Sequence, residues 1–227
     1  MTPRTDWTVA TAAAAIACLS AMFATTLVTG VSQEQFELVR PAAAYAADLQ
    51  AHGTAARVVF ALDTVFLVLY AAFFLSFGRR IATDATRPMI AIAIGAMLTT
   101  AALDIVEDHH ILAMLSSTEA GAPPGAGEIA FQHTLSQVKF NISYLGLFLF
   151  GLAVPRTHRA GTALALLLTV GTLAQGAILY AAPLEAQGIG SMGRWCGFIA
   201  GFALAIAVVR AADADRRLAS RGSGAPA

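Results

Sequence analysis

The sequence predicts an all-α membrane protein built as a six-helix transmembrane bundle. Three observations carry that reading. Hydrophobic residues make up 57% of the 227 and charged residues only 12%, where a soluble domain has about a quarter charged. Mean hydropathy is +0.68. Apolar stretches long enough to cross a bilayer core of about 30 Å recur six times.

Those stretches run approximately over 7–30, 55–77, 89–115, 135–154, 161–182 and 192–211. The first is rich in Ala and Thr, and its apolar run exceeds the roughly 7–15 residues of a signal-peptide core, so it reads as a retained helix. Between the first two, Pro41 opens a segment of helix formers over 42–51 and Gly53 follows it. Pro near a first turn and Gly past an end mark a short helix. Tyr45 and Leu49, at i and i+4, give it an apolar edge, as a lid or brace on the outer face. The segment 116–127 is a Gly/Pro-rich loop. Residues 1–212 thus form one bundle, and 213–227 read as a polar, disordered tail.

The arginines orient the layout. Arg4, Arg79, Arg80, Arg87, Arg156, Arg159, Arg210, Arg216, Arg217 and Arg221 fall on one side, and Arg40, Arg57 and Arg194 on the other. Basic loops stay cytoplasmic, which places both termini in the cytoplasm and the chain in the plasma (inner) membrane. With a net charge of zero and no basic patch, nucleic acid is excluded as a partner. The chain also lacks a phosphate loop, a dinucleotide fingerprint and a nucleophile elbow. Cys18 and Cys196 have no CxxC partner and read as buried packing residues. Gly193, Gly197 and Gly201 form a small-residue ladder suited to close helix packing, within the bundle, in a homodimer or against a membrane partner.

The densest chemistry is Asp104-Ile-Val-Glu107-Asp108-His109-His110, five ionisable groups in seven residues between apolar flanks. Charge at bilayer depth costs about 2.5–3.5 kcal/mol per residue on insertion scales, so such groups mark functional sites. Asp104, Glu107 and Asp108 share one helical face, and Glu107 and His110 form a Glu-x-x-His unit of the kind that ligates metal in helical bundles. Asp63 falls in the outer part of the second helix. His133, Gln137 and Asn141 align on one face of the fourth helix, while Ser136, Lys139 and Ser143 align on another. Lys139 is the only lysine in the chain. Gln175 and Tyr180 fall in the outer part of the fifth helix, and Arg194 opens the sixth. Trp195 beside it reads as an interfacial anchor.

Like charges on one face require a cation among them, a paired Lys139, Arg57 or Arg194, or a carboxyl that keeps its proton. The first option gives a divalent metal, Zn, Mn or Fe, held by Asp63, Asp104, Glu107, His110 and His133. Asp108 or His109 would then serve as general base toward a metal-bound water, with Lys139 stabilising negative charge. Arg57, Asn141, Gln175 and Arg194 would contact a lipid-soluble substrate. The chain so read is a metal-dependent membrane hydrolase or redox enzyme. Two other classes stay open: a proton- or ion-coupled transporter, which needs polar groups continuing to the cytoplasm, and a non-catalytic membrane subunit or assembly factor.

Overall fold

The computed structural model describes the backbone of residues 6–181 and 187–222, and their side chains except at 179, 180, 187–191 and 220–222. Helix follows helix, and no strand occurs among the described residues. The helices are α1 (Trp7–Thr29), α2 (Ala42–Ile81), α3 (Arg87–Glu119), α4 (Ala126–Ala153), α5 (Arg159–Leu166), α6 (Thr172–Ala181) and α7 (Gln187–Gly222). A single π-turn, Leu167–Gly171, joins α5 to α6, and a 3-10 turn, Gln33–Phe36, lies between α1 and α2.

Local signals account for the ends. The Asp6 carboxylate accepts the Thr8 amide at 3.1 Å and caps α1, satisfying one of the four orphan N–H groups of a helix start. Gly30 closes α1 in the left-handed conformation at φ 71°, which costs a residue without Cβ nothing. Arg79 and Arg80 occupy the last turn of α2, where cations complement the helix dipole.

Among the described residues, five spans are long and apolar enough to cross a membrane: α1, α2, α3, the α5–π–α6 unit (Arg159–Ile178) and α7. The fourth helix has 28 residues but is not among the five; Gln132, His133, Gln137, Lys139 and Asn141 dilute its apolar character. The helices close a ring in which α1 packs on α2, α2 on α3, α3 on α4, α4 on the α5–π–α6 unit, α5 on α7, and α7 on α1. Val28, Val68, Ile92, Val170 and Ile178 point outward and are exposed. Apolar residues both inside and outside are what lipid, unlike water, permits.

Two departures from the sequence reading concern boundaries. No separate outer-face helix forms over 42–51: those residues are the first turns of the 40-residue α2, which runs through Gly53. A single glycine costs a helix only about 1 kcal/mol, and the packing of Tyr45, Leu49 and Phe60 in one buried cluster with Ile111 and Leu115 outweighs it. The segment read as a disordered tail continues α7 to Gly222. Asp213 pairs there with Arg80 and Asp215 with His158 at 2.8 Å. Residues 223–227 lie outside the described residues.

The larger core cluster fills the half of the bundle near Arg80. Its aromatic centre is a chain of edge-to-face contacts among Phe66, Tyr70, Phe73, Phe74 and Phe202, with Phe150 beside it. Above this apolar plug, toward the 3-10 turn, the interior becomes charged.

Candidate functional site

The charged interior is built from α2, α3, α4 and the 31–41 loop. The i, i+3, i+4 spacing on α3 carries Asp104, Glu107 and Asp108 to the side facing α2 and α4, and Glu107 and Asp108 are almost fully buried. On α4 the inward face is the one bearing Gln132, Ser136, Lys139 and Ser143, all buried. From α2 comes Asp63, also buried.

Two subsites result. In the first, carboxylate oxygens of Asp63, Asp104 and Asp108 all lie within 4.8 Å of one another. Gln33 lies over them, its Nε2 donating to Asp108 Oδ1 at 3.0 Å and to Asp104 Oδ1 at 3.2 Å. The remaining oxygens Asp63 Oδ2 and Asp108 Oδ2 are buried without any donor from the described residues. Such an atom costs about 1–3 kcal/mol unless something unrecorded satisfies it.

In the second subsite, the Lys139 ammonium is the hub. It donates to Asp104 Oδ1 at 2.7 Å, to Glu37 Oε1 at 3.2 Å and to Glu107. Glu107 also accepts from Ser136 and from Gln132 Nε2 at 2.8 Å. The Gln132 side-chain oxygen Oε1 accepts from His110 Nδ1 at 2.6 Å. Asp104 belongs to both subsites and couples them.

The 31–41 loop closes the site. Its grip is multiple: Glu37 reaches Lys139, the Glu37 carbonyl accepts from His133 Nδ1 at 2.9 Å, the Phe36 carbonyl accepts from the Tyr45 hydroxyl at 2.9 Å, and Glu34 accepts from the Trp195 indole N–H. Trp195, read as an interfacial anchor, thus also fastens this loop to α7.

The predicted site residues sort as follows. Asp63, Asp104 and Asp108 come together. Glu107 and His110 are directed into the Lys139 network instead, and His133 is directed to the loop backbone. His109 faces outward, its Nδ1 donating to the Ile105 carbonyl at 2.8 Å. Arg57 forms an exposed ion pair with Glu119 at 2.7 Å. Asn141 is exposed on α4, its Nδ2 donating to the Gln137 carbonyl at 2.9 Å. Gln175 and Arg194 line a neighbouring cavity. Arg194 lies 3.6 Å from Glu37 Oε2, with its guanidinium 4.0 Å from the Phe140 ring centroid. The Tyr180 side chain lies outside the described residues. Gln33, Glu37 and Gln132 were not singled out in the sequence, and only Gln132 carried a signal: it is four residues before Ser136, on the Lys139 face.

Comparison with protein-family models, with curated proteins and with solved structures finds no match. The chemistry therefore rests on the residues themselves.

Charge counting defines what the site lacks. Five buried or half-buried carboxyls (Glu37, Asp63, Asp104, Glu107, Asp108) face two side-chain cations (Lys139, Arg194). With all five ionised and His110 and His133 both protonated, one negative charge would still be uncompensated, so either a cation or a retained carboxyl proton balances the site. Uncompensated charge in a low-dielectric interior costs several kcal/mol.

The glycine ladder also finds a different place. Gly193, Gly197 and Gly201 line the cavity beside the site, and a Cβ added at any of them would meet no atom closer than 3.8 Å. Within this chain they are not at a close helix contact. Among the tight glycines are Gly78, against Ile94 of α3, Gly146, against Met97 and Ala96 of α3, Gly151, against Leu168 and the Ala165 carbonyl, and Gly161, against the Pro155 carbonyl. Cys196, read as a packing residue, is exposed to the same cavity.

Proposed function

We propose that this chain is a multi-pass membrane protein whose Asp63/Asp104/Asp108 cluster binds a divalent cation. The observation that carries the reading is the pair of donorless, buried oxygens, Asp63 Oδ2 and Asp108 Oδ2, in a site with more carboxyls than cations. A cation accepts lone pairs from both and offsets the excess charge. Three carboxylates make an all-oxygen donor set, which suits Mg, Ca or Mn. Of Zn, Mn and Fe, only Mn fits comfortably without the imidazoles, and His110 and His133 have their Nδ1 atoms committed elsewhere.

A cation at this place polarises a bound oxygen or lowers the pKa of a bound water. Lys139 and Gln33 would hold Asp104 and Asp108 in ligating orientation, the role outer hydrogen bonds play around metal ligands. This supports a metal-assisted membrane enzyme acting from the face that carries the 31–41 loop, which the arginine bias assigns to the outside. It supports a transporter less, because the polar interior ends at the Phe66–Phe74 plug.

The test is elemental analysis and Mn2+ titration of detergent-purified protein. Wild type is expected to hold near-stoichiometric cation, lost in Asp63→Asn and Asp108→Asn and retained in His109→Ala. A folded wild type that holds no cation at any concentration tried would sink the reading and leave a proton shared between Asp63 and Asp108 as the charge balance.

A further inference from the structure

Beside the carboxylate site is a cavity of about 700 Å³ between α2, α4, the π-turn with α6, and α7. That volume lies within the usual range of ligand sites, roughly 300–1,000 Å³. Its walls are overwhelmingly apolar, with Phe73, Phe77, Phe198 and Phe202 prominent, and its polar residues, Ser143, Tyr144, Thr172, Gln175 and Arg194, include one cation. On α7 it extends from Gly193 to Ala205, about 18 Å at 1.5 Å per residue. The three ladder glycines add no side chain to that wall, leaving room between Arg194, Phe198 and Phe202. The π-turn forms part of the opposite wall through Leu167, Leu168 and Gly171; π-turns recur at functional positions.

We infer that this cavity binds a single-chain amphiphile with an anionic head, the hydrocarbon chain lying along the glycine face of α7 and the head at Arg194. The length, the apolar walls and the bare glycines fit one unbranched chain. Arg194 fits the head: its ion pair with Glu37 Oε2, at 3.6 Å, is too long for a hydrogen bond and leaves donors over, and a guanidinium fork matches a carboxylate or phosphate in two-pronged fashion. Gln175, 3.8 Å from a Cβ placed on Gly193 or Gly197, supplies amide groups at the same end. Lys139 and Arg194 both lie at the Phe140 ring, 4.6 and 4.0 Å from its centroid, so the head binds beside Glu37 and across one aromatic ring from Lys139. This inference depends on the membrane-spanning reading but not on the cation.

Cys196 lines the cavity and Cys18 is buried, so thiol labelling reads occupancy directly. Purified full-length protein in detergent is treated with a maleimide while palmitate, its methyl ester or lysophosphatidate is titrated. Saturable protection of Cys196 by the acid, slowing labelling about tenfold, is expected, with the ester at least about tenfold weaker. Lysophosphatidate stronger than palmitate assigns a phosphate head; the reverse assigns a carboxylate. Arg194→Gln should erase the acid–ester difference. Gly201→Leu, which blocks the far end, should remove the advantage of a C16 chain over a C8 chain while leaving C8 protection in place, which reports a folded protein. No saturable protection in wild type, or equal protection by acid and ester, overturns the inference. Protection that persists in a cation-free Asp63→Asn protein shows that the cavity stands even where the cation reading fails.

Discussion

Lys139 and Glu107 form an ion pair across the α3–α4 interface at which both side chains are out of contact with solvent, 2% and 0% exposed. Each is the other's neighbour in a larger set: Lys139 also serves Asp104 and Glu37, and Glu107 also accepts from Ser136 and Gln132. The pair therefore fixes the register of two helices and the loop that covers them.

Breaking one side of such a pair strands a charge, which costs about 3–5 kcal/mol, while removing both costs much less. Lys139→Met alone should destabilise the bundle by about that amount, and Lys139→Met with Glu107→Gln by clearly less. The difference measures the coupling. Unfolding of the two single variants and the double variant in mixed detergent micelles checks it. Additive losses would mean that the two residues act independently.

Acid should weaken cation binding. Protons compete with a cation for carboxylate oxygens, so affinity falls as ligands are protonated. Mn2+ affinity of wild type is expected to drop as pH is lowered from 7 to 3.5, through the carboxylate range near about 4. Asp63→Asn, with one competing carboxyl removed, should bind weakly with a shallower pH slope. Titrations at stepped pH decide this; an affinity flat in pH would rule out carboxylate ligation.

Much of this architecture was legible in the sequence because lipid imposes a simple code. Long apolar runs gave every helix, and the i, i+3, i+4 spacing gave the inward face of α3. On α4 the code was ambiguous, since both the His133/Gln137/Asn141 face and the Ser136/Lys139/Ser143 face carry polar groups. Only the packing of α4 on α3, which brings Lys139 to Glu107, turns the second face inward. Glu37 and Gln33 had no signal at all: polar residues in loops are the norm, and their reach into the core depends on the 3-10 turn folding back. Within the chain, the glycine spacing did not mark a tight contact, for a related reason. Spacing marks where helices can approach, but whether they do depends on the partner, and the π-turn and α6 stand off from Gly193, Gly197 and Gly201.

That last contrast is measurable. Gly→Ala in an open helical position stabilises by roughly 0.5–1 kcal/mol because alanine orders the unfolded chain and propagates helix better. Gly197→Ala, with 3.8 Å of clearance, should be neutral or gain that much. At Gly151 a Cβ would come within 2.9 Å of Leu168 Cβ and 3.2 Å of the Ala165 carbonyl oxygen, so Gly151→Ala should lose about 1–3 kcal/mol through overpacking. Thermal unfolding of the two variants compares them. The reverse order would restore Gly197 to a tight helix interface and empty the cavity of its meaning.

At the opposite end of the bundle Arg80 links three helices, pairing with Asp6 before α1 at 3.0 Å and with Asp213 on α7. The side chains are about a quarter to a third exposed, so solvent screens the pairs and their worth is under about 1 kcal/mol each. That is too little to unfold the protein but enough to free a helix end, where opening costs least. Arg80→Gln should leave global stability nearly unchanged and speed amide hydrogen exchange over 213–219, with a smaller rise at the first turn of α1. Exchange measured by mass spectrometry tests this. Unchanged protection over 213–219 would show that the last turns of α7 hold by their own helical propensity and owe nothing to Arg80.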